Sequence, residues 1–165
     1  MNRNEEANYT KIVKMCDWVE RGVSYTEIQQ RLAPKNSQEI SNASVKNVQH
    51  ALQSFSFIEK IKETTPFSKE DVIDKYDLAV FLSGKSIKFV KVQVKSSLTG
   101  VSEFYKEFDQ NYYKADQIVK RKGLIVLNGQ LPIENIQTIF KKQLSKIDQY
   151  FKIHPELAKR RGFSC

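Results

Sequence analysis

The stretch KYDLAVFLSGKSIKFVKVQVKSS, residues 75–97, decides the fold. It contains two apolar runs joined by a short SGKS segment, which is the pattern of a β-hairpin. Three polar residues interrupt these runs: Asp77 opens the first strand, and Gln93 and Lys95 end the second. In an antiparallel hairpin the start of one strand lies beside the end of the next. The sequence therefore predicts that Asp77, Gln93 and Lys95 lie close together at one end of a sheet.

Two helices are predicted at the N-terminal end of the chain. Residues 9–21 carry apolar side chains at helical spacing, and Gly22 is placed to end that helix. Ser24, with Glu27 three residues later, forms a capping-box pattern that begins a second helix, and Pro34 is expected to end it.

From about residue 44 onward, the predicted order is helix, three strands, helix, strand and helix. The segments are a helix starting at Asn42 or Ser44, strands in 57–64, 76–82 and 86–97, a helix over 101–122, a strand over 124–129 and a helix from Pro132. This order predicts an α/β fold with a small mixed sheet. We expect residues 1–43 to form an N-terminal helical region and residues 44–165 the α/β core, with a loose basic tail after residue 153.

The net charge of the chain indicates what kind of partner it binds. The 165 residues carry a formal net charge of +8, which favours a polyanionic partner such as DNA. A soluble basic protein without such a partner remains the alternative.

The chain contains no apolar run long enough to cross a membrane and no apolar N-terminal signal stretch, so a cytoplasmic protein is expected. Cys16 and Cys165 have no companions at metal-ligand spacing, which argues against a zinc site or a disulfide framework.

The three polar strand residues have the chemistry of a phosphodiester hydrolysis site. The Asp77 carboxylate and the Gln93 amide are oxygen ligands suited to Mg²⁺, which can polarise a phosphate and acidify a bound water. The Lys95 ammonium would orient the water or neutralise developing charge. The alternative is structural: Asp77 caps the hairpin, and Gln93 and Lys95 lie on an exposed strand edge.

At these residues the chain resembles the PD-(D/E)xK nuclease superfamily. Asp77 in KYDLAV matches the family's aspartate at the start of the second strand, and Gln93-Val94-Lys95 matches its (D/E)xK element. The resemblance covers about residues 44–128. It implies a restriction-endonuclease-like core, an endodeoxyribonuclease activity, Mg²⁺ or Mn²⁺ held by Asp77 and Gln93, and Lys95 as a further catalytic residue.

The chain departs from the family pattern at three places. Tyr76 stands where proline is usual, and Gln93 replaces the acidic residue, as in the QxK variant of small group I intron homing endonucleases. The first core helix lacks the glutamate that many members carry, and Glu39 and Glu63 are candidates to supply it. Since an amide binds a cation more weakly than a carboxylate, reduced metal affinity or loss of activity is an open alternative.

Residues 22–60 also fit the order of a winged helix-turn-helix. In that interpretation Ser44, Lys46, Asn47 and Gln49 would face bases in the major groove. The rival interpretation makes the same helix the first helix of the nuclease core. The alternative function is accordingly a non-catalytic DNA-binding protein with a degenerate nuclease core.

If the protein cuts both strands, it would need two active sites, so a homo-oligomer, most simply a dimer, is expected.

Overall fold

The structure, a computed structural model, describes residues 3–32, 36–65 and 75–164. The chain divides into two compact units, Met1–Asn36 and Ser37–Cys165. The expected boundary between residues 43 and 44 falls inside the first helix of the second unit. None of the described helices is long and apolar enough to span a membrane.

The first unit contains two helices, α1 (Arg3–Glu20) and α2 (Tyr25–Leu32). Gly22 adopts a φ of +75°, so the predicted helix end is confirmed, although α1 begins well before residue 9. The Ser24 hydroxyl accepts a hydrogen bond from the Glu27 N–H at 3.3 Å, which confirms the predicted N-cap. Pro34, the predicted end of α2, lies outside the described residues.

The second unit is an α/β fold built on a four-stranded mixed sheet. Its elements are α3 (Ser37–Gln53), β1 (Ile58–Glu63), β2 (Leu78–Leu82), β3 (Phe89–Lys95), α4 (Leu98–Lys106), α5 (Tyr112–Arg121), β4 (Leu124–Asn128), α6 (Ile133–Ile153) and α7 (Pro155–Arg160). The strand order is β1-β2-β3-β4. The first three strands form the predicted antiparallel meander, and β4 pairs with β3 in parallel after the helical crossover.

Helices cover both faces of the sheet. One face, here called the α3/α6 face, carries the larger apolar cluster, with Val80, Val92 and Leu127 packed against Leu52 and Phe140. The other, the α4/α5 face, carries a smaller cluster in which Phe104, Tyr105, Val119, Leu124 and Val126 pack together. Successive residues of a strand point to opposite faces of the sheet. Because helices cover both faces of β4, all residues of Leu124–Leu127 are buried, and the sequence of this strand is a continuous apolar run.

Two predicted helix boundaries were wrong. Helix α3 begins at Ser37 rather than at residue 42 or 44. The helix predicted over 101–122 is two helices, because side chains between them compete for backbone donors. Asn111 caps α5 by accepting from the Tyr113 and Lys114 N–H groups, and Asp109 accepts from the Asn111 N–H at 2.7 Å.

The C-terminal segment is ordered rather than loose, and that prediction was wrong. It forms α7, and Phe163 beyond it is only 2% exposed, in the core cluster of the α3/α6 face. The Phe163 carbonyl accepts a hydrogen bond from the Lys88 N–H at 2.7 Å, which ties the C-terminal segment to the hairpin. Ala158, which is also buried in this cluster, and a hydrogen bond from Arg161 to the Arg121 carbonyl add further contacts to this basic segment.

A buried polar contact joins the hairpin turn to α6. The Asp148 Oδ1 atom accepts hydrogen bonds from the Ser86 hydroxyl at 2.6 Å and from the Ser86 N–H at 2.7 Å. Asp148 is 7% exposed and Ser86 is half-buried, so these bonds are partly shielded from water. They hold the end of the β2–β3 hairpin remote from Asp77 against the longest helix.

Candidate functional site

The polar residues of interest gather at one edge of the sheet. Strands β1, β3 and β4 end at this edge and β2 begins there, as the pairs Glu63–Leu78, Leu78–Val92 and Lys95–Asn128 place them. Strand ends leave backbone groups without ladder partners, and polar side chains satisfy them. We call this the site edge.

Asp77 is fixed at the site edge between β1 and β3. Its N–H donates to the Val92 carbonyl at 2.8 Å, and its carbonyl accepts from the Thr64 N–H at 2.9 Å. Its Oδ2 atom accepts a hydrogen bond from the Val94 N–H at 2.7 Å. The carboxylate therefore lies against the backbone of the residue between Gln93 and Lys95. The same bond caps the hairpin, as the structural alternative requires.

Gln93 and Lys95 lie on the α4/α5 face, where they pair with Val126 and Asn128 of β4. Both are half-buried. The Gln93 Nε2 atom lies 3.5 Å from the Val94 carbonyl oxygen, a long donor contact. The Lys95 ammonium lies 5.1 Å from the centre of the Phe104 ring, a cation–π distance. The chain then turns into α4, whose N-cap Ser97 accepts from the Gly100 N–H at 2.9 Å.

A second polar cluster supports the site edge from α3. The Ser44 Oγ atom lies 2.8 Å from the Ile40 carbonyl oxygen and 3.0 Å from Ser96 Oγ, and it accepts from Gln130 Nε2 at 2.7 Å. The Gly129 N–H donates to the Lys95 carbonyl at 2.8 Å. These bonds link α3, β3 and the loop after β4, and so fix the backbone next to Lys95.

The contacts of α3 are those of a core helix. Ser44 is 1% exposed, so its hydroxyl is not open to bases, whereas Asn47 is exposed and donates from Nδ2 to the Gly129 carbonyl at 3.0 Å. Among the four residues predicted to face DNA, Lys46 and Asn47 are exposed and Gln49 is half-buried. The packing of α3 on the sheet corresponds to the rival interpretation, in which it is the first helix of the α/β core.

The two glutamates considered as substitutes for a helix glutamate differ in position. Glu63 ends β1 at the site edge, and its Oε2 atom lies 3.4 Å from Gln49 Nε2 of α3. Glu39 lies in the first turn of α3 and is exposed. The structure thus brings Glu63 to the same edge as Asp77.

The donor chemistry at the site edge fits a hard divalent cation. Asp77 offers a carboxylate and Gln93 an amide oxygen, and with the Gln93 amide nitrogen on the Val94 carbonyl, the amide oxygen is the atom left to serve as a ligand. Within the described ranges, no group of three or more His, Cys, Asp or Glu side chains could hold a metal ion.

Sequence reasoning missed the cluster formed by Ser44, Ser96 and Gln130. Its members are 52 and 86 residues apart along the chain, so no local pattern joins them. The one local signal was Ser96 directly after the QVK triplet, at a position where a strand leaves the sheet.

No protein-family model matches this chain, and neither a curated protein nor a solved structure matches it.

Proposed function

We propose that this protein is a metal-dependent endodeoxyribonuclease with a restriction-endonuclease-like core and a QxK active site. The observation that carries the proposal is the 2.7 Å hydrogen bond between Asp77 Oδ2 and the Val94 N–H. It holds a carboxylate beside the Gln93-Val94-Lys95 triplet where the sheet ends. Further support comes from the order of the strands and from the net charge of +8.

Each of the three residues has a distinct role in the proposal. Asp77 and Gln93 would hold Mg²⁺ or Mn²⁺, which supplies Lewis-acid activation of the phosphate and of a water when bound. Lys95, held over the Phe104 ring, would position the attacking water and balance the negative charge that develops on the phosphorus oxygens. The Gly129 N–H bond to the Lys95 carbonyl fixes the backbone that carries this lysine.

The test is cleavage of supercoiled plasmid with Mg²⁺, Mn²⁺ or EDTA. We expect metal-dependent nicking by the wild type and a loss of about 100-fold or more in Asp77→Asn and in Lys95→Met, since each removes a group that acts on the transition state. Asp109→Asn is the matched control, because Asp109 also accepts a backbone N–H at 2.7 Å but lies away from the site edge. Unchanged cleavage in both site variants would refute the proposal.

Gln93→Glu tests the metal ligand separately. A carboxylate binds Mg²⁺ more strongly than an amide does, so this variant should reach half-maximal cleavage at a lower Mg²⁺ concentration than the wild type. Gln149→Glu, at an exposed position of α6, adds the same charge away from the site edge and should leave the Mg²⁺ requirement unchanged. Equal Mg²⁺ titrations for all three proteins would argue against Gln93 as a ligand.

A non-catalytic DNA-binding protein is the second candidate. The capping bond of Asp77 and the amide at position 93 favour it, because a degenerate core would keep the structural bond and lose the acidic ligand. Salt-dependent DNA binding without cleavage in either metal would select this candidate.

Cleavage of both strands would require a second active site, so we propose a homodimer as the cutting form. Sedimentation equilibrium with and without duplex DNA measures the mass directly. A monomer that makes double-strand breaks in single binding events would contradict this part of the proposal.

A further inference from the structure

A cavity of about 580 Å³ opens on the α4/α5 face, away from the residues proposed for catalysis. Its volume lies in the range of small-molecule sites. The walls combine two phenyl rings and one acid with four basic side chains: Lys75, Lys91, Lys122 and Arg161. The cavity is therefore strongly cationic.

Among the residues that the structure describes, most of this positive charge is not neutralised. Glu107 is the acid in the wall, and its Oε2 atom pairs with the Lys75 ammonium at 2.7 Å. In the described part of the chain, no ion pair joins Lys91 or Lys122 to a carboxylate. Arg161 donates a hydrogen bond to the Arg121 carbonyl oxygen, which is uncharged, so this bond does not neutralise the positive charge of Arg161. Positive charges gathered in one concave site repel one another, and a bound anion offsets this electrostatic repulsion.

Aromatic rings lie next to the ammonium groups of Lys91 and Lys122. The Lys91 ammonium lies 5.4 Å from the centre of the Tyr76 ring and 5.8 Å from that of Phe163. The Lys122 ammonium lies 5.1 Å from the centre of the Phe108 ring. A cation–π contact positions an ammonium without neutralising it, so both remain able to bind an anion.

The position of Lys91 relates the cavity to the site edge. Lys91, Gln93 and Lys95 are alternate residues of β3 and share the α4/α5 face, where Lys91 pairs with Leu124. Alternate residues of a strand are about 7 Å apart. A polar row therefore runs along one strand from the proposed catalytic lysine into the cationic cavity.

We propose that this cavity binds a backbone phosphate of the nucleic-acid strand, one that is not cut, through Lys91 and Lys122 with Arg161 beside them. The inference rests on the proposed nuclease function for the identity of the strand. Phosphate is the anion that lysine and arginine bind most commonly in nucleic-acid complexes, and such contacts position the strand without reading its sequence. The cavity would hold the substrate in register while Asp77 and Lys95 act on a phosphodiester further along the same strand.

The test is equilibrium binding of labelled single-stranded and duplex oligonucleotides by fluorescence anisotropy, in EDTA and over a range of salt. Lys91→Met and Lys122→Met should each weaken binding and lower the salt slope of log K by about 0.7 on a single strand, the value for one lost phosphate contact. Lys85→Met is the matched control, because its ammonium also lies over a ring, 4.9 Å from Phe57, but in the hairpin turn. It should leave the slope unchanged.

Two further measurements guard against misfolding and against a different ligand. Lys91→Arg keeps the charge and should bind as the wild type does, and thermal unfolding monitors the fold of each variant. Competition with inorganic tripolyphosphate separates a strand phosphate from a free polyphosphate. Tripolyphosphate that binds more tightly than the oligonucleotide, with loss in Lys91→Met and Lys122→Met, would overturn the assignment to a strand.

Salt slopes for Lys91→Met and Lys122→Met equal to that of Lys85→Met would also overturn the inference. Because EDTA removes cleavage from the assay, its outcome does not depend on catalysis. A protein that cuts DNA but shows no effect of these variants would refute the cavity proposal alone. A protein that binds through the cavity but never cuts would refute the nuclease proposal alone.

Discussion

Gly129→Ala should destabilise the protein and disturb the site edge, because the glycine lies against the backbone of α3. A Cβ at this position would overlap the Ser44 carbonyl oxygen and would come within 2.6 Å of the Ser44 Cβ and 2.7 Å of its carbonyl carbon. Two of these three atoms belong to the main chain of a helix, so a rotamer change cannot relieve the contact. Either α3 or the loop after β4 must move.

The expected cost combines overpacking with lost hydrogen bonds. Overpacking a well-filled core typically costs about 1–3 kcal/mol. Separation of α3 from the loop would also stretch the bonds from Asn47 and Gln130, at 3.0 and 2.7 Å, each worth about 1 kcal/mol. With both hydrogen bonds lost, we expect the free energy of unfolding to fall by about 3–5 kcal/mol.

Urea denaturation, monitored by circular dichroism, measures this change. Gly100→Ala is the control, because a Cβ there meets only side-chain atoms at 3.2–3.9 Å and the residue lies in α4, where alanine is the better helix former. A fall of less than about 0.5 kcal/mol for Gly129→Ala would refute the packing argument. If stability falls, DNA cleavage at temperatures where the variant is folded should fall as well, since Gly129 fixes the Lys95 carbonyl.

Three further predictions concern stability. Asp148→Ala should lower the free energy of unfolding by about 1–2 kcal/mol in urea, because it leaves the half-buried Ser86 donors without their acceptor. Burial acts to raise the pKa of Asp148, but the Ser86 hydrogen bonds and the Lys152 charge outweigh it and lower the pKa below 3.8. The wild type should therefore lose stability as the pH falls below about 3.8 toward the native pKa, and Asp148→Asn should lose less. Burial raises the pKa of Tyr105 above 10.0, so the native state retains a proton that the unfolded chain releases. Unfolding titrations should show stability decreasing above pH 10, and Tyr105→Phe should reduce that decrease. Asn111→Ala should cost about 1 kcal/mol in urea through the lost α5 cap, and a cost near zero would contradict this assignment.

Sequence reasoning predicted the parts of the fold that local patterns encode. The hairpin, the short strand β4 and the caps at Gly22 and Ser24 follow from periodicity and from single residues with strong conformational preferences. The prediction of helix boundaries failed where a local pattern was ambiguous. The segment from 101 to 122 keeps helical spacing throughout, and only the side chains of Asp109 and Asn111 interrupt it.

The site was predictable only to the level of neighbouring strands. Antiparallel pairing brings Asp77 beside Gln93 and Lys95 in any hairpin that joins these strands. Register does not follow from the sequence, and the bond from the Val94 N–H to Asp77 Oδ2 depends on it. The cationic cavity was also beyond local reasoning, since Lys91, Lys122 and Arg161 come from three separate segments.

The hydrogen bond of Asp77 can be separated from its charge. In Asp77→Asn the amide oxygen can still accept the Val94 N–H, so the cap on the hairpin is retained and stability should change by less than about 1 kcal/mol. The negative charge that a cation needs is lost. A catalytic aspartate therefore predicts a folded and inactive variant, whereas a purely structural one predicts a variant that is both folded and unaltered in its activity. Asp77→Ala removes the cap as well, so the difference in unfolding free energy between the two variants measures the structural role, and the cleavage rate of Asp77→Asn measures the chemical one.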